Sequence, residues 1–308
     1  MCPRIFKTVA ALDLALALAG LLPVRDGGAL RAEESGHAVK LSAYDLLGLP
    51  GEPAAIRAKL EHDGLSGLNP DMKGYPLQFG GPPALGQDAV TDGEGTASAS
   101  GRFPEHPGAI GRVRVRFPGS RGHRAAETTA RLFAWPADSR ILVVDIDHTI
   151  CDFRQRDVPF ADVARVPATE GSVPALRAIA RDYRILYLTA RDEALFNQSR
   201  AWLEARGFPE GPLMTRDYWP WESREGYKRK ALGRLKARYP HLTAGVGDTA
   251  GDARAYLANG LRAIVIDPGC AGRFPEGSRV IPSWRGVRDA LEAPAAWIDP
   301  DAVRAGER

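Results

Sequence analysis

The feature that most constrains the fold is a repeating pattern in the second half of the chain. Short apolar runs alternate there with helical stretches, and polar residues follow each run. Ile141-Leu142-Val143-Val144 has no polar alternation, which is what a strand buried on both faces requires. A helix is predicted near Val173–Asp182, then a strand at Ile185-Leu186-Tyr187-Leu188 and a helix over Glu193–Arg206 stopped by Gly207. A short strand at Leu213-Met214 and a basic helix over Arg224–Arg238, ended by Pro240, come next. A strand near Ala244-Gly245-Val246, a helix near Asp252–Ala258 and a strand at Ala263-Ile264-Val265-Ile266 complete the series. Such alternation predicts an α/β domain with a Rossmann-like parallel sheet, assigned to residues 139–308.

The first half has a different texture. Ala38-Val39-Lys40-Leu41 and Ala55-Ile56-Arg57-Ala58-Lys59-Leu60 alternate in part, and Arg112-Val113-Arg114-Val115-Arg116-Phe117 alternates cleanly. Thr91-Asp92-Gly93-Glu94-Gly95-Thr96 is a turn cluster, and Gly80-Gly81-Pro82-Pro83 reads as a loop. Residues 36–138 are therefore expected to form an all-β sandwich. Gly48-Leu49-Pro50-Gly51-Glu52-Pro53 and the later Thr91–Gly95 cluster resemble bacterial immunoglobulin-like modules.

Residues 1–35 carry Arg4 and Lys7 ahead of an apolar run from Val9 to Ala19, interrupted by Asp13. The run is short for a membrane span. It is read as a helical segment, with an export signal as the alternative. Three scattered cysteines, Cys2, Cys151 and Cys270, make neither a disulfide framework nor a zinc pair, and the expected compartment is the cytoplasm. A net charge of +3 offers no compositional case for a nucleic-acid partner.

In open parallel sheets, ligands bind beyond the carboxyl ends of the strands. The residues at those ends are Asp145-Ile146-Asp147-His148-Thr149, then Thr189-Ala190-Arg191, then Gly247-Asp248 with Asp252 four residues on. The basic helix adds Lys228 and Lys230. Carboxylates gathered at one edge need a cation to remain ionised together. A donor set of oxygens alone suits a hard cation, above all Mg²⁺. Mg²⁺, an ammonium and a hydroxyl together suit a phosphoryl group.

Asp145-Ile146-Asp147-His148-Thr149 resembles the DxDxT signature of haloacid-dehalogenase-type phosphatases. Thr189, Lys228 and the run Gly247-Asp248-Thr249-Ala250-Gly251-Asp252 are similar to the later motifs of that family, in the same order. From about Arg140 to Gly269 the chain is similar to the catalytic domain of lipins and to the C-terminal domain of membrane-associated phosphatidylinositol-transfer proteins. The stretches that carry this are Arg184–Arg191, Gly211–Met214, Tyr227–Leu232 and Gly247–Tyr256.

The resemblance implies an Mg²⁺-dependent phosphomonoesterase with phosphatidate as its substrate. Asp145 is then the nucleophile and Asp147 the acid and base. Thr189 and Lys228 bind phosphate, and Asp145, Asp147, Asp248 and Asp252 surround the metal. Some transfer-protein members lack the first Asp and are thought to bind the lipid without cleaving it; here both Asp145 and Asp147 are present.

Each residue also has a plainer reading. Asp145 could cap a turn, Asp147 could hold its loop, and Thr189 could cap the helix before Glu193. Asp252 is expected to hold the ion's water shell or to orient Lys228, and could equally be a first-turn dipole partner, while Lys228 and Lys230 could belong to a solvated basic face. Thr149 is expected to close its loop. His148 stands where lipins carry Gly and is read as a loop-packing residue, or else as a contact to a substrate head group. Arg191 is assigned either to substrate or to a salt bridge. Trp219 and Trp221 either pack under their loop or sit at a membrane interface. The spacing between motifs leaves no room for a large cap domain, so the site should be open to a phosphate on a bulky carrier. Alternatives to phosphatidate hydrolysis are phosphatidate binding with little turnover, or hydrolysis at protein or polynucleotide ends.

Overall fold

The computed structural model describes residues 36–64, 69–81, 86–152, 166–217, 222–270 and 272–293. The N-terminal helical segment, Pro82-Pro83 and Tyr218-Trp219-Pro220-Trp221 lie outside these residues.

Eight strands come first: β1 Val39–Ala43, β2 Leu46–Gly48, β3 Pro53–His62, β4 Pro76–Gly80, β5 Gln87–Val90, β6 Thr96–Arg102, β7 Ile110–Phe117 and β8 Ala126–Ala134. They form a three-stranded antiparallel sheet, β1-β3-β6, and a five-stranded sheet, β2-β8-β7-β4-β5. The β2–β8 pair is parallel and the other pairs of the second sheet are antiparallel. Period-2 alternation sends Ile56, Ala58 and Leu60 of one sheet and Val113, Val115 and Phe117 of the other into a common core. On the outward face of β7, Arg112, Arg114 and Arg116 are exposed.

The α/β part follows as β9 Ile141–Val144, α1 Ser172–Ile179, β10 Arg184–Asp192, α2 Phe196–Arg206, β11 Leu213–Arg216, α3 Arg224–Arg238, β12 Leu242–Gly247, α4 Ala250–Leu257, β13 Arg262–Ile266, β14 Ser278–Ile281 and α5 Val287–Glu292. The six strands make one wholly parallel sheet in the order β11-β10-β9-β12-β13-β14. The chain starts at β9, moves outward through β10 and β11, then returns to the other side of β9 with β12. That reversal puts a switch point between the carboxyl ends of β9 and β12. All four residues of β9 are buried. β10 runs to Asp192, so Thr189 lies within the strand and not after it as the sequence suggests.

The two halves share apolar surface. Phe133 and Trp135, at and just after the end of β8, pack in one cluster with Ile141, Leu186, Leu235 and Tyr256 of the α/β part. Asp45 is buried at the same junction. Arg131 donates to it through Nε at 2.9 Å and Nη2 at 2.7 Å, and the Leu213 N–H donates to its Oδ2 at 3.0 Å. Residues 35–308 form one compact unit, so the change near residue 138 is one of architecture and not of compactness.

Candidate active site

β9 delivers Asp145 to the switch point. Its backbone N–H donates to the Val246 carbonyl at 3.0 Å, extending the pairing of β9 with β12 by one residue. The loop beyond is held by its own backbone. Ile150 N and Cys151 N both donate to Ile146 O at 3.0 Å, and His148 N donates to Cys151 O at 2.7 Å. This closure puts His148 in the left-handed region, at φ 57°. Thr149 is fully buried; its hydroxyl donates to Asp248 Oδ1 at 3.3 Å, and its carbonyl accepts from the Trp284 indole at 2.8 Å. The loop-closing role expected of Thr149 is thus visible in its contacts.

β12 ends in Gly247 and leads to Asp248. A side chain at Gly247 would bring a Cβ to 2.6 Å from that of Asp252, so a glycine lets α4 start this close to the strand. Thr249 caps α4: its Oγ1 accepts from Asp252 N at 3.1 Å, while Asp252 Oδ2 accepts from Thr249 N at 3.2 Å and Thr249 Oγ1 at 2.7 Å. The other Asp252 oxygen accepts from Lys228 Nζ. α3, capped by Ser223, projects Lys228 inward, where Nζ also lies 2.7 Å from Asp145 Oδ1. Lys230 is exposed and pairs with Glu222 at 2.6 Å. Lys228, not Lys230, therefore reaches the acidic group.

Carboxylate oxygens of Asp145, Asp248 and Asp252 lie within 4.8 Å of one another. Asp145 and Asp252 are 5% and 3% exposed, Lys228 is 4% exposed, and Asp248 is half-buried. Three carboxylates against one ammonium leave two negative charges when all are ionised. Burial raises Asp145 to about 7; Lys228 opposes the rise, while Asp252 and Asp248 add to it. Burial also raises Asp248, to about 6, with Asp252 adding and Lys228 and His148 opposing. Lys228 is held above its ordinary value. Its own burial pulls the other way, but Asp145 and Asp252 outweigh it. A divalent cation would cancel the residual charge, and an all-oxygen donor set fits Mg²⁺.

The placement of the other predicted residues is mixed. Asp147 stands outside the three-carboxylate group. Arg191 holds its carboxylate through Nε at 3.1 Å to both oxygens and through Nη2 at 2.8 Å to Oδ1. Arg191 is itself buried and donates through Nη1 to Ser199 Oγ at 2.9 Å. A carboxylate engaged this way is poorly available to a metal, so the metal role expected of its side chain does not match the arrangement. Asp252, also expected among the ligands, has both oxygens taken by Lys228 and Thr249. This arrangement suits the expected alternative in which it orients Lys228, and leaves Asp145 and Asp248 as the candidates to hold a cation. Thr189 is buried in β10, where its hydroxyl accepts from Arg191 N at 3.2 Å and keeps its own proton to donate. The cap of the following turn is Asp192 and not Thr189.

A pocket of about 100 Å³ opens over the cluster, lined by Asp145, Asp147, His148, Ala190, Lys228 and Asp248, with Arg224, Glu225 and the start of α4 at its side. Sequence reasoning gave no sign of Arg224 and Glu225 here, because their place depends on how α3 lies against α4. Trp284 was equally silent, since a contact across 135 residues leaves no local pattern.

No curated protein sequence matches the chain significantly. Two solved structures overlap with it in part. One is a candidate alpha-galactosidase from Bacteroides fragilis, at 9% identity and a TM-score of 0.23, covering 78% of this chain and 59% of that one. The other is a family 123 glycoside hydrolase from Clostridium perfringens, at 8% identity and a TM-score of 0.18, covering 71% and 55%. The chain thus spans less than two thirds of either relative, and overlaps this loose carry no argument. Residues 142–266, the span from β9 to β13 that contains every motif residue discussed above, match the family model of the LNS2 domain of PITM 1-3, so this part of the chain is similar to the lipin and phosphatidylinositol-transfer-protein-like group.

Proposed function

We propose that the protein is an Mg²⁺-dependent phosphomonoester hydrolase that works through an aspartyl-phosphate on Asp145, with phosphatidate or another bulky phosphomonoester as substrate. The observation that carries this is the ion pair of Asp145 with Lys228 inside a three-carboxylate cluster at the sheet's switch point. The match to the LNS2 domain supports a phosphatidate-phosphatase-like or lipid-binding role for the same part of the chain.

The steps follow from the residues. An Asp145 oxygen attacks phosphorus, and the bond to the carrier oxygen breaks. Lys228 offsets charge on the phosphoryl oxygens, and Thr189 donates its hydroxyl to one of them. Asp147 gives a proton to the departing oxygen. It then takes one from the water that attacks the aspartyl-phosphate, releasing phosphate and restoring Asp145. Mg²⁺, held by Asp145 and Asp248 when bound, would supply the charge balance that three carboxylates and a phosphate require. Asp252 keeps Lys228 in place throughout.

The test is phosphate release from a panel of lipid and soluble phosphomonoesters with added Mg²⁺. Asp145→Asn should remove turnover and leave the fold intact, and undiminished release by that variant would refute the assignment. A second reading, phosphatidate binding with little turnover, is favoured by one contact. Arg191 engages both oxygens of Asp147, so the carboxyl that would serve the leaving group is already occupied. Vesicles that contain phosphatidate separate the two readings: Mg²⁺-dependent phosphate release supports the first, and retention of intact lipid supports the second.

A further inference from the structure

His148 is an expensive residue for its position. Only two non-glycine residues among those described have positive φ, and His148, at 57°, is one of them. The left-handed conformation is disfavoured for a residue with a Cβ and free of that cost for glycine. What fixes the conformation is backbone: the His148 N–H on Cys151 O at 2.7 Å and the bridge between Asp147 and Cys151. A glycine would make the same contacts without strain. The side chain is exposed, so it does not pack the loop as one sequence reading has it. It lines the pocket instead.

The pocket has a direction. Asp145, Lys228 and Asp252 are buried and form its floor, whereas His148 is exposed, as are Arg224 and Thr249 of the same lining. A phosphoryl group drawn to the ammonium and the cation site lies at the floor. The carrier attached to it leaves toward the exposed side of the lining, where His148 stands with Arg224 and Thr249. An imidazole N–H on that side is a donor within the pocket for the first atoms of the carrier beyond the ester oxygen. Strain retained at a site with no structural need for it points to use by a ligand.

We propose that His148 is a specificity-determining residue which donates a hydrogen bond to an oxygen of the carrier next to the scissile phosphate. The residue selects phosphomonoesters whose carrier bears such an acceptor, as a glycerol ester does, over bare phosphate. The proposal rests on the phosphoryl pocket assigned above, and its test is arranged so that the two can fail separately.

Binding of inorganic phosphate and of monomeric dioctanoyl phosphatidate is measured by calorimetry with Mg²⁺ in the Asp145→Asn protein, where turnover does not consume the ligand. Adding His148→Ala should weaken the lipid about three- to tenfold, the worth of one hydrogen bond, and leave inorganic phosphate unchanged. His148→Asn, which tolerates the backbone and can still donate, should recover most of the loss. His148→Gly should lose the same affinity yet raise the melting temperature by about 2 °C, because strain is released.

Equal losses for both ligands would assign His148 to the floor and overturn the proposal. So would no loss for either, or a glycine variant that melts lower and shows the imidazole to be a loop support. If neither ligand binds the Asp145→Asn protein and inorganic phosphate does not bind the native protein either, the phosphoryl pocket itself is refuted, and this inference with it.

Discussion

Replacing Lys228 by Met removes an ammonium from the floor of the pocket and keeps most of the volume. In the native protein Nζ meets Asp145 at 2.7 Å and also Asp252, with all three groups buried. The variant leaves three carboxylates facing one another without that charge. Breaking a buried pair from one side costs about 3–5 kcal/mol. No discount for solvent applies, because the lysine is 4% exposed. In a protein of this size that loss lowers the melting temperature by about 6–20 °C. The carboxylates can escape part of the cost by taking up protons, so the measurement belongs at pH 8 in the presence of a chelator, followed by calorimetry or circular dichroism. Added Mg²⁺ should then recover more for Lys228→Met than for the native protein, since the vacated site carries one more negative charge. At a hundredfold excess over the dissociation constant the recovery is about 2.7 kcal/mol. Lys230→Met is the control: that residue is exposed, and its pair with Glu222 is worth about 0–1 kcal/mol. A Lys228→Met protein that melts within 2 °C of the native one would refute the buried ionic floor and the charge argument for a cation built upon it.

Three further outcomes follow from the same geometry. Asp145 and Asp248 are raised to about 7 and about 6, above the ordinary carboxylate value, so the folded chain binds protons that the unfolded chain does not. Their contribution to stability is complete below pH 3.8 and is lost as pH rises through 6 to 7. The gain in melting temperature from Mg²⁺ over chelator should therefore grow from pH 5 to pH 8, and a flat difference would count against both carboxylates as ligands. Asp147→Asn should cut hydrolysis about a hundredfold or more. It should also cost about 3 kcal/mol in denaturant unfolding, because the buried Arg191 loses its charged partner; loss of activity at native stability would show the clamp to be slack. Asp45→Ala, outside the pocket lining, should cost about 1–3 kcal/mol by taking the acceptor from the Leu213 N–H and from two nitrogens of Arg131, which keeps Glu204 at 3.2 Å, read as a shift in the urea midpoint.

Much of the α/β part is legible because its signals are local. The unbroken run Ile141–Val144 is a strand buried on both faces, and α3 occupies the expected Arg224–Arg238 between Ser223 and Pro240. The carboxylates at the ends of β9 and β12 meet because parallel strands put their carboxyl ends on one edge, and that rule needs no knowledge of particular contacts. The misses have physical reasons. β8 gives no strand signal in the sequence, since Ala130–Ala134 is buried throughout and shows no alternation. Leu132 faces the core between the two β-sheets, and Phe133 faces the core shared with the α/β part. β14 and α5 are four and six residues long, too short for a period to declare itself. The Arg191 clamp on Asp147 spans 44 residues. Both members of that pair were candidates for the site, yet nothing in their spacing says that each occupies the other.

That pair also determines how much the family likeness can carry. The matched span, 142–266, includes Asp145, Asp147, Arg191, Lys228, Asp248 and Asp252, so the chemistry of the floor lies wholly inside it. The supports do not. Trp284 holds the carbonyl of Thr149 from beyond the end of the match. Arg57 and Lys59 of β3 pair with Glu193, one residue past the end of β10, at 2.6 and 3.6 Å. The loop that follows Asp145 and the strand that bears Thr189 and Arg191 are thus braced by parts of the chain to which the likeness does not extend. Whether Asp147 swings free of Arg191 to act as an acid depends on how firmly Arg191 is held. Ser199 holds it from within the matched span, and the bracing of β10 by the β-sheet half limits how far that end of the strand can give. Loosening that brace with Arg57→Ala and Lys59→Ala should therefore alter turnover without touching a single group in the pocket, an effect that a self-sufficient catalytic domain would not show.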